Sequence, residues 1–350
     1  MNKSKLKKIT SARLFLPIVC LIAVLLLNVI RTPDFFNVSI RNGVLYGYIV
    51  DVINRASELV ILAIGMTLVT AASGGQDISV GATVAIAGSV ILRVLCGTNS
   101  RPETLQAPVI VAFLVACLAA MACGAFNGLL VAKFNIQPMI ATLILFTAGR
   151  SIAAWINNNE LPVISEESFG VYGGFIPGIP IPTPVFIMLI CVLITGLALK
   201  YTNLGLYTQA VGINASSSRL NGLNPAFIKF LSFVILGLCV AVVGLIKVSR
   251  LSSINYSVIA KDIEMDAILA VALGGNALSG GKFNMAASIL GAYVIQFLTT
   301  TLYKFNVDSA ALSAYKAVVV IALVVCSAPV VRKKFAGLAK KLKPQAKEVA

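Results

Sequence analysis

The chain has 350 residues, 58% of them hydrophobic and only 12% charged, with a mean hydropathy of +0.94. That balance excludes an ordinary soluble domain, and the absence of any histidine excludes a Ser-His-Asp or Cys-His catalytic centre and a histidine-bound metal. A net charge of +15 does not point to nucleic acid, because 12 of the 28 basic residues stand in the two terminal segments, the pattern that orients a membrane protein.

A bilayer core of about 30 Å needs roughly 20 apolar residues per helix. Apolar runs recur at 14–30, 59–72, 78–96, 108–131, 138–156, 183–199, 226–248, 263–273, 285–302 and 311–328. Those at 59–72 and 263–273 are too short to cross unaided, which predicts extension by less apolar flanks or half-helices buried in protein. The expected fold is an all-α integral membrane protein of eight to ten transmembrane helices, some of them broken. One polytopic domain fills 14–328, between basic tails at 1–13 and 329–350.

Lys3, Lys5, Lys7, Lys8 and Arg13 before the first run, and the basic residues of 332–347 after the last, predict that both termini are cytoplasmic. The segment 200–229 then falls inside, while 157–182, with Glu160, Glu166, Glu167 and four prolines, falls outside. The first run is expected to be a retained helix, since no clear small-residue cleavage site follows it. Cys20, Cys96, Cys117, Cys123, Cys191, Cys239 and Cys326 all fall in or beside apolar runs without metal spacing and read as packing residues.

Two glycine breaks interrupt the pattern. Residues 74–81 read GGQDISVG and residues 274–281 read GGNALSGG, each after a short run and before a longer one. The likeness leaves open an internal parallel repeat, against a chance similarity of glycine-rich turns. Gly74, Gly75, Gly81, Gly274, Gly275 and Gly281 let the backbone leave the helix, and Ser79 or Ser279 could cap the helix that follows. Gln76 and Asp77 lie inside the first break, where Asp77 reads either as a cap of the next helix or as part of a path or gate. The second break resembles a phosphate loop, but six residues before Lys282 stands Asn276 and after it Phe283, so a Walker site is excluded.

Glu264 and Asp266, two apart, point about 200° from each other on a helix and cannot face one site. Salt bridging with the nearby Arg250 and Lys261 is expected for them, with docking of a partner as the alternative. Residues 205–225, polar and small-residue rich and ending at Pro225, read as a short interfacial helix and turn.

Six ordered segments resemble the permease subunits of bacterial ATP-binding-cassette importers for monosaccharides, the ribose, xylose and galactofuranose group. They are LAIGMTLVTAASGGQDISVGATVAIAG at 62–88, FNGLLVAKFNIQPMIATLI at 126–144, PTPV at 182–185, LGLYTQAVGINASSSRLNGL at 204–223, EMDAILAVALGGNALSGGKFN at 264–284 and KAVVVIALVV at 316–325. The GGKFN segment with Gly291, Ala292, Ile295 and Gln296 is most similar to galactofuranose permeases. Where the family has Ile-Asp after the paired glycine, this chain has Gln76-Asp77.

The resemblance implies a transport subunit of the bacterial inner membrane with no cofactor of its own. ATP and Mg²⁺ would belong to a separate ATPase subunit, an extracytoplasmic binding protein would deliver the sugar, and a second permease copy or paralogue would complete the path. It also implies coupling to the ATPase through Ala210, Gly212, Asn214, Arg219 and Gly222. Polar side chains in an apolar wall could recognise the sugar, and the candidates are Asn127, Gln137, Thr142, Arg150 and Trp155, with Gln76 and Asp77 of the break. Asn127 lies in GAFNG, where Gly124 and Gly128 also permit close helix packing. The competing class is an ion-coupled secondary transporter with Asp77 or Glu264 at its ion site.

Overall fold

The computed structural model describes residues 14–308 apart from Asn42, and 311–321 apart from Ser313 and Val320. The basic tails, Cys326 and much of the tenth apolar run lie outside the described residues.

The helices follow the apolar runs: α1 (Phe15–Arg31), α2 (Tyr48–Ser73), α3 (Val80–Cys96), α4 (Val109–Ala132), α5 (Pro138–Ile156), the one-turn α6 (Glu167–Gly170), α7 (Thr183–Tyr201), α8 (Leu204–Ile213), α9 (Ala215–Leu220), α10 (Pro225–Leu251), α11 (Ile263–Leu273) and α12 (Met285–Lys304). A 3₁₀ turn (Pro33–Phe36) and a small hairpin of β1 (Ser39–Arg41) and β2 (Val44–Tyr46) join α1 to α2. Among the described residues α2, α4, α5, α7, α10 and α12 are long and apolar enough to cross a membrane. The protein is therefore a multi-pass membrane protein.

Helix starts follow local chemistry. Proline opens α5 and α10 at positions where no amide partner is needed. Asn214, Asn224 and Asn284 cap α9, α10 and α12 by accepting from Ser217 N, Phe227 N and Ala287 N at 2.9, 3.1 and 3.3 Å. The last of these corrects the expectation for Ser279, since Asn284 and not the serine holds the start of α12.

The two short runs part company. Residues 59–72 extend backwards through Glu58, Arg55 and Asp51 into the 26-residue α2, whereas 263–273 remains the 11-residue half-helix α11. Buried along almost its whole length, α2 is the centre of the bundle, in contact with α7, α8, α10, α11 and α12. By contrast α4, α5 and α7 expose wide apolar faces, including Leu118, Ile140, Leu193 and Ile194, as a lipid-facing surface does.

The most extensive helix contact is between α4 and α10, where small residues remove the side-chain spacer. A Cβ on Gly124 would strike Phe233 O, and one on Gly128 would come within 3.1 Å of Phe230 O. On the opposing helix, a Cβ on Gly237 would strike Ala120 O. The segment between α5 and α7 folds back over the end of α10. There Gly173 N donates to Ser249 Oγ at 2.7 Å, and Ser249 Oγ donates to Phe169 O at 2.5 Å.

Candidate functional site

The first break opens where Gly74, at φ 70°, ends α2 in the left-handed conformation and donates to Thr70 O. Six residues later Val80 begins α3. Asp77 lies between them, 4% exposed, and its Oδ1 accepts from Ser79 N at 2.8 Å and from Ser79 Oγ at 2.6 Å. Asn127 Nδ2, from α4, donates to Asp77 Oδ2 at 3.2 Å and to Ser79 Oγ at 2.9 Å. Thr142 Oγ1, from α5, accepts from Ile78 N at 3.2 Å, while Gly75 leaves room for the ring of Pro138. Asp77, Ser79 and Asn127 thus form one buried network that fastens the break to α4, and Thr142 fastens it to α5 through the Ile78 amide, while Gln76 turns to the second break. Asp77 serves the start of α3 through the Ser79 amide. The Ser79 hydroxyl donates to Asp77 and accepts from Asn127; it does not cap the helix, contrary to the sequence expectation.

The second break carries its own buried network, none of it anticipated. Asn276 Nδ2 donates to Ser288 Oγ at 2.7 Å, Asn276 Oδ1 accepts from Asn284 N at 2.7 Å, and Thr67 Oγ1 lies 2.7 Å from Ser288 Oγ. This fastens the break to α2 and α12. The two breaks also touch: Gln76 Nε2 donates to Leu278 O at 3.0 Å, Gly281 N donates to Ala71 O at 2.9 Å, and a Cβ on Gly74 would lie 2.9 Å from Ser279 O. Two stretches some two hundred residues apart in sequence therefore form one joint between four helix ends.

The α8–α9 segment is seated on that joint. A Cβ on Gly212 would overlap Ala71 O and lie 2.6 Å from Gly281 N, so α8 rests backbone on backbone against both breaks. Beyond it, Asn214 caps α9, Gly222 at φ 81° ends it, and Leu223 N donates to Ser218 O at 3.1 Å. Ala210 and Asn214 border an open groove with Leu206, Ile213 and Leu223, and Arg219 is exposed. Leu206, Ile213 and Leu220 are exposed at 66%, 61% and 90%.

Other anticipated residues lie elsewhere. Gln137 is exposed before α5, and Trp155 is 76% exposed at the far end of that helix. Arg150 Nη1 donates to Tyr256 O and Ile259 O at 2.8 and 3.0 Å, holding the connection that leads into α11. The expected salt bridge of Arg250 with Glu264 or Asp266 is corrected. Arg250 pairs with Glu58 of α2, which also receives Lys247 Nζ at 2.7 Å, and Asp266 pairs with Lys316 Nζ at 2.7 Å. Glu264 is buried against the first turn of α3, where a methyl group on Gly81 would strike its carboxylate. Asp51, Arg55 and Glu58 recur at helical spacing ahead of the apolar run, a signal that could have revealed both the extension of α2 and its charged face.

A family described as "Branched-chain amino acid transport system / permease component" matches residues 48–328. The chain belongs to this permease family. Among its relatives, the galactofuranose transporter permease YtfT of Escherichia coli K12 is 36% identical, covering 88% of this chain and 87% of that protein. The fructose import permease FruF of Bifidobacterium longum is 35% identical, covering 98% and 96%. The ribose import permease RbsC of E. coli K12 is 34% identical, covering 86% and 90%. A solved metal-chelate type ABC transporter in an inward-facing conformation aligns with a TM-score of 0.43 at 15% identity, over 82% of this chain and 85% of that one.

Proposed function

We propose that this permease is the membrane-spanning subunit of an ATP-binding-cassette importer that carries a monosaccharide, of pentose or furanose type, into the cytoplasm. The observation that carries the reading is the similarity, co-linear over 86–98% of the chain, to galactofuranose, fructose and ribose permeases. ATP and Mg²⁺ belong to a separate ATPase subunit, an extracytoplasmic protein presents the sugar, and a second permease copy or paralogue completes the path. Both termini face the cytoplasm.

The α8–α9 segment is the ATPase-facing surface in this reading. Its groove, about 520 Å³, is bordered by apolar Leu206 and Ile213 and polar Asn214, Ser217 and Asn221, which suits a partner helix or loop. Motion of α8 acts through Gly212 on Ala71 and Gly281, at the joint of the two breaks. Helices are stiff along their hydrogen-bonded length, so a displacement there is absorbed at the breaks, where the ladder is interrupted. The Asp77–Ser79–Asn127 and Asn276–Ser288–Thr67 networks tie each break to its neighbouring helices, with the Asn127 Oδ1 acceptor left unpartnered.

The test is affinity purification of the tagged protein from its native membranes in mild detergent, followed by mass spectrometry and sugar uptake. Recovery of an ABC ATPase, reduced by substitutions at Leu206 and Leu220, is the expected result. Uptake that persists without any ATPase and collapses with an ionophore would overturn the reading in favour of ion coupling.

A further inference from the structure

At the end of the bundle away from α8–α9, helices α2, α10, α11 and α12 leave a polar concavity of about 260 Å³. Its depth follows from helix rise. Lys247 lies 22 residues after Pro225, hence about 33 Å along α10 from the α9 connection, and Leu59 lies 12 residues before Ala71, hence about 18 Å along α2 from Gly212. The concavity therefore opens on the membrane face opposite the α8–α9 surface.

Its lining is chemically unusual for a membrane bundle. Glu58, 4% exposed at its side chain, is held by Lys247 and Arg250, Asp266 is held by Lys316, and Lys261 and Arg55, the latter paired with Asp51, complete the charged lining. Gln296, Thr299 and Tyr303 stand three and four residues apart on α12 and present one polar stripe to the same space. Gln296 Nε2 donates to Thr300 Oγ1 at 3.3 Å and Thr299 Oγ1 donates to Ile295 O at 2.8 Å. The Gln296 carbonyl can still accept, and so can the Thr299 oxygen. Charged groups, most of them paired, beside amide, hydroxyl and phenol groups suit a ligand whose every hydroxyl both donates and accepts, and the Tyr303 ring suits its C–H face. The volume equals that of about nine water molecules at ~30 Å³ each, the scale of a single sugar ring.

We propose that this concavity is the outer admission site for one neutral monosaccharide, with Gln296, Thr299 and Tyr303 as its recognition stripe. The proposal rests on the import reading above. It differs from the sequence expectation, which named Gln76, Asp77, Asn127, Gln137, Thr142, Arg150 and Trp155 as path residues; of these, Asp77, Asn127 and Thr142 hold the first break to its neighbouring helices. It also gives α11 a role. Ile263 and Asp266 line the concavity at one end of this half-helix, and the second break, in contact with Gly212, forms the other.

The experiment uses the permease reconstituted in proteoliposomes with its ATPase and binding protein, probed with radiolabelled D-ribose, D-fructose and D-galactose. For whichever sugar the unaltered complex carries, Thr299→Val and Gln296→Ala lower uptake about tenfold, the scale of one or two lost hydrogen bonds, and Thr299→Ser restores it. Permease level and ATPase recovery stay unchanged. In parallel, a Thr299→Cys variant is treated with a water-soluble maleimide, and labelling of the peptide carrying position 299 slows at least threefold in the presence of that sugar but not of L-glucose. Unchanged uptake in the valine and alanine variants, or labelling indifferent to the sugar, overturns this proposal alone. Absence of ATP-driven uptake of all three sugars by the unaltered complex overturns the import reading and this proposal with it.

Discussion

Gly212→Ala tests whether the seat of α8 on the two breaks transmits force. An added Cβ would lie 2.6 Å from Gly281 N, and Cβ contacts under 3.0 Å are essentially never tolerated, so α8 must withdraw by at least 0.4 Å there. It must withdraw further at Ala71 O, where the overlap is deeper. Both obstacles are backbone atoms, and the Gly281 N to Ala71 O hydrogen bond at 2.9 Å runs between them. No rotamer change relieves the clash, and overpacking of this kind costs about 1–3 kcal/mol. That is small against the packing of the whole bundle, so the protein still reaches the membrane. ATP-driven sugar uptake falls at least tenfold, because 1.4 kcal/mol on a coupled step is about a factor of ten. The matched control is Gly196→Ala on α7, where a Cβ meets nothing within 4 Å and uptake is retained. Uptake in proteoliposomes, normalised to permease recovered, is the assay. Wild-type uptake by Gly212→Ala would refute the joint as the transmitting element.

Removing Lys247 leaves Arg250 as the ion-pair partner of Glu58 among the described residues. With Lys247 22% exposed, Lys247→Met should cost about 2 kcal/mol, below the 3–5 kcal/mol of a fully buried pair. Glu58→Gln together with Lys247→Met recovers most of that loss in a thermal-unfolding cycle, and additive losses would refute the pairing. Asp77→Ala leaves the Ser79 amide and hydroxyl without their acceptor in a buried site, at about 1–3 kcal/mol for each unpaired group, and lowers the melting temperature more than Asp77→Asn. Equal effects of the two substitutions would show that the hydrogen bonds do not matter. Gly222 holds φ 81° in open space, so Gly222→Asn should keep ATPase recovery in pull-downs while Gly222→Val loses it through backbone strain. Gly124→Leu should prevent accumulation of the protein in the membrane, since its side chain would have to occupy the place of the Phe233 carbonyl, and a normal yield by immunoblot would refute that packing.

Apolar run length, proline at helix starts and paired glycine after an apolar run made the nine runs that lie wholly within the described residues legible as helices, because these signals act through the chain's own backbone. GAFNG at 124–128 announced close packing for the same reason: a missing Cβ is a local fact. Neither signal names a partner. That Gly124 meets Phe233, that Gln76 reaches Leu278, and that Glu58 is neutralised by residues almost two hundred positions later depend on which helices become neighbours. The two short runs show the difference most clearly. Residues 59–72 lengthen into a full span because Lys247 and Arg250 arrive to neutralise Glu58, whereas α11 begins only after Asp262 at φ 64° and ends at the second break. A run's own hydropathy sets where a helix can lie in a bilayer; how far it continues through charged residues is set by the counter-charges that the tertiary structure brings to it.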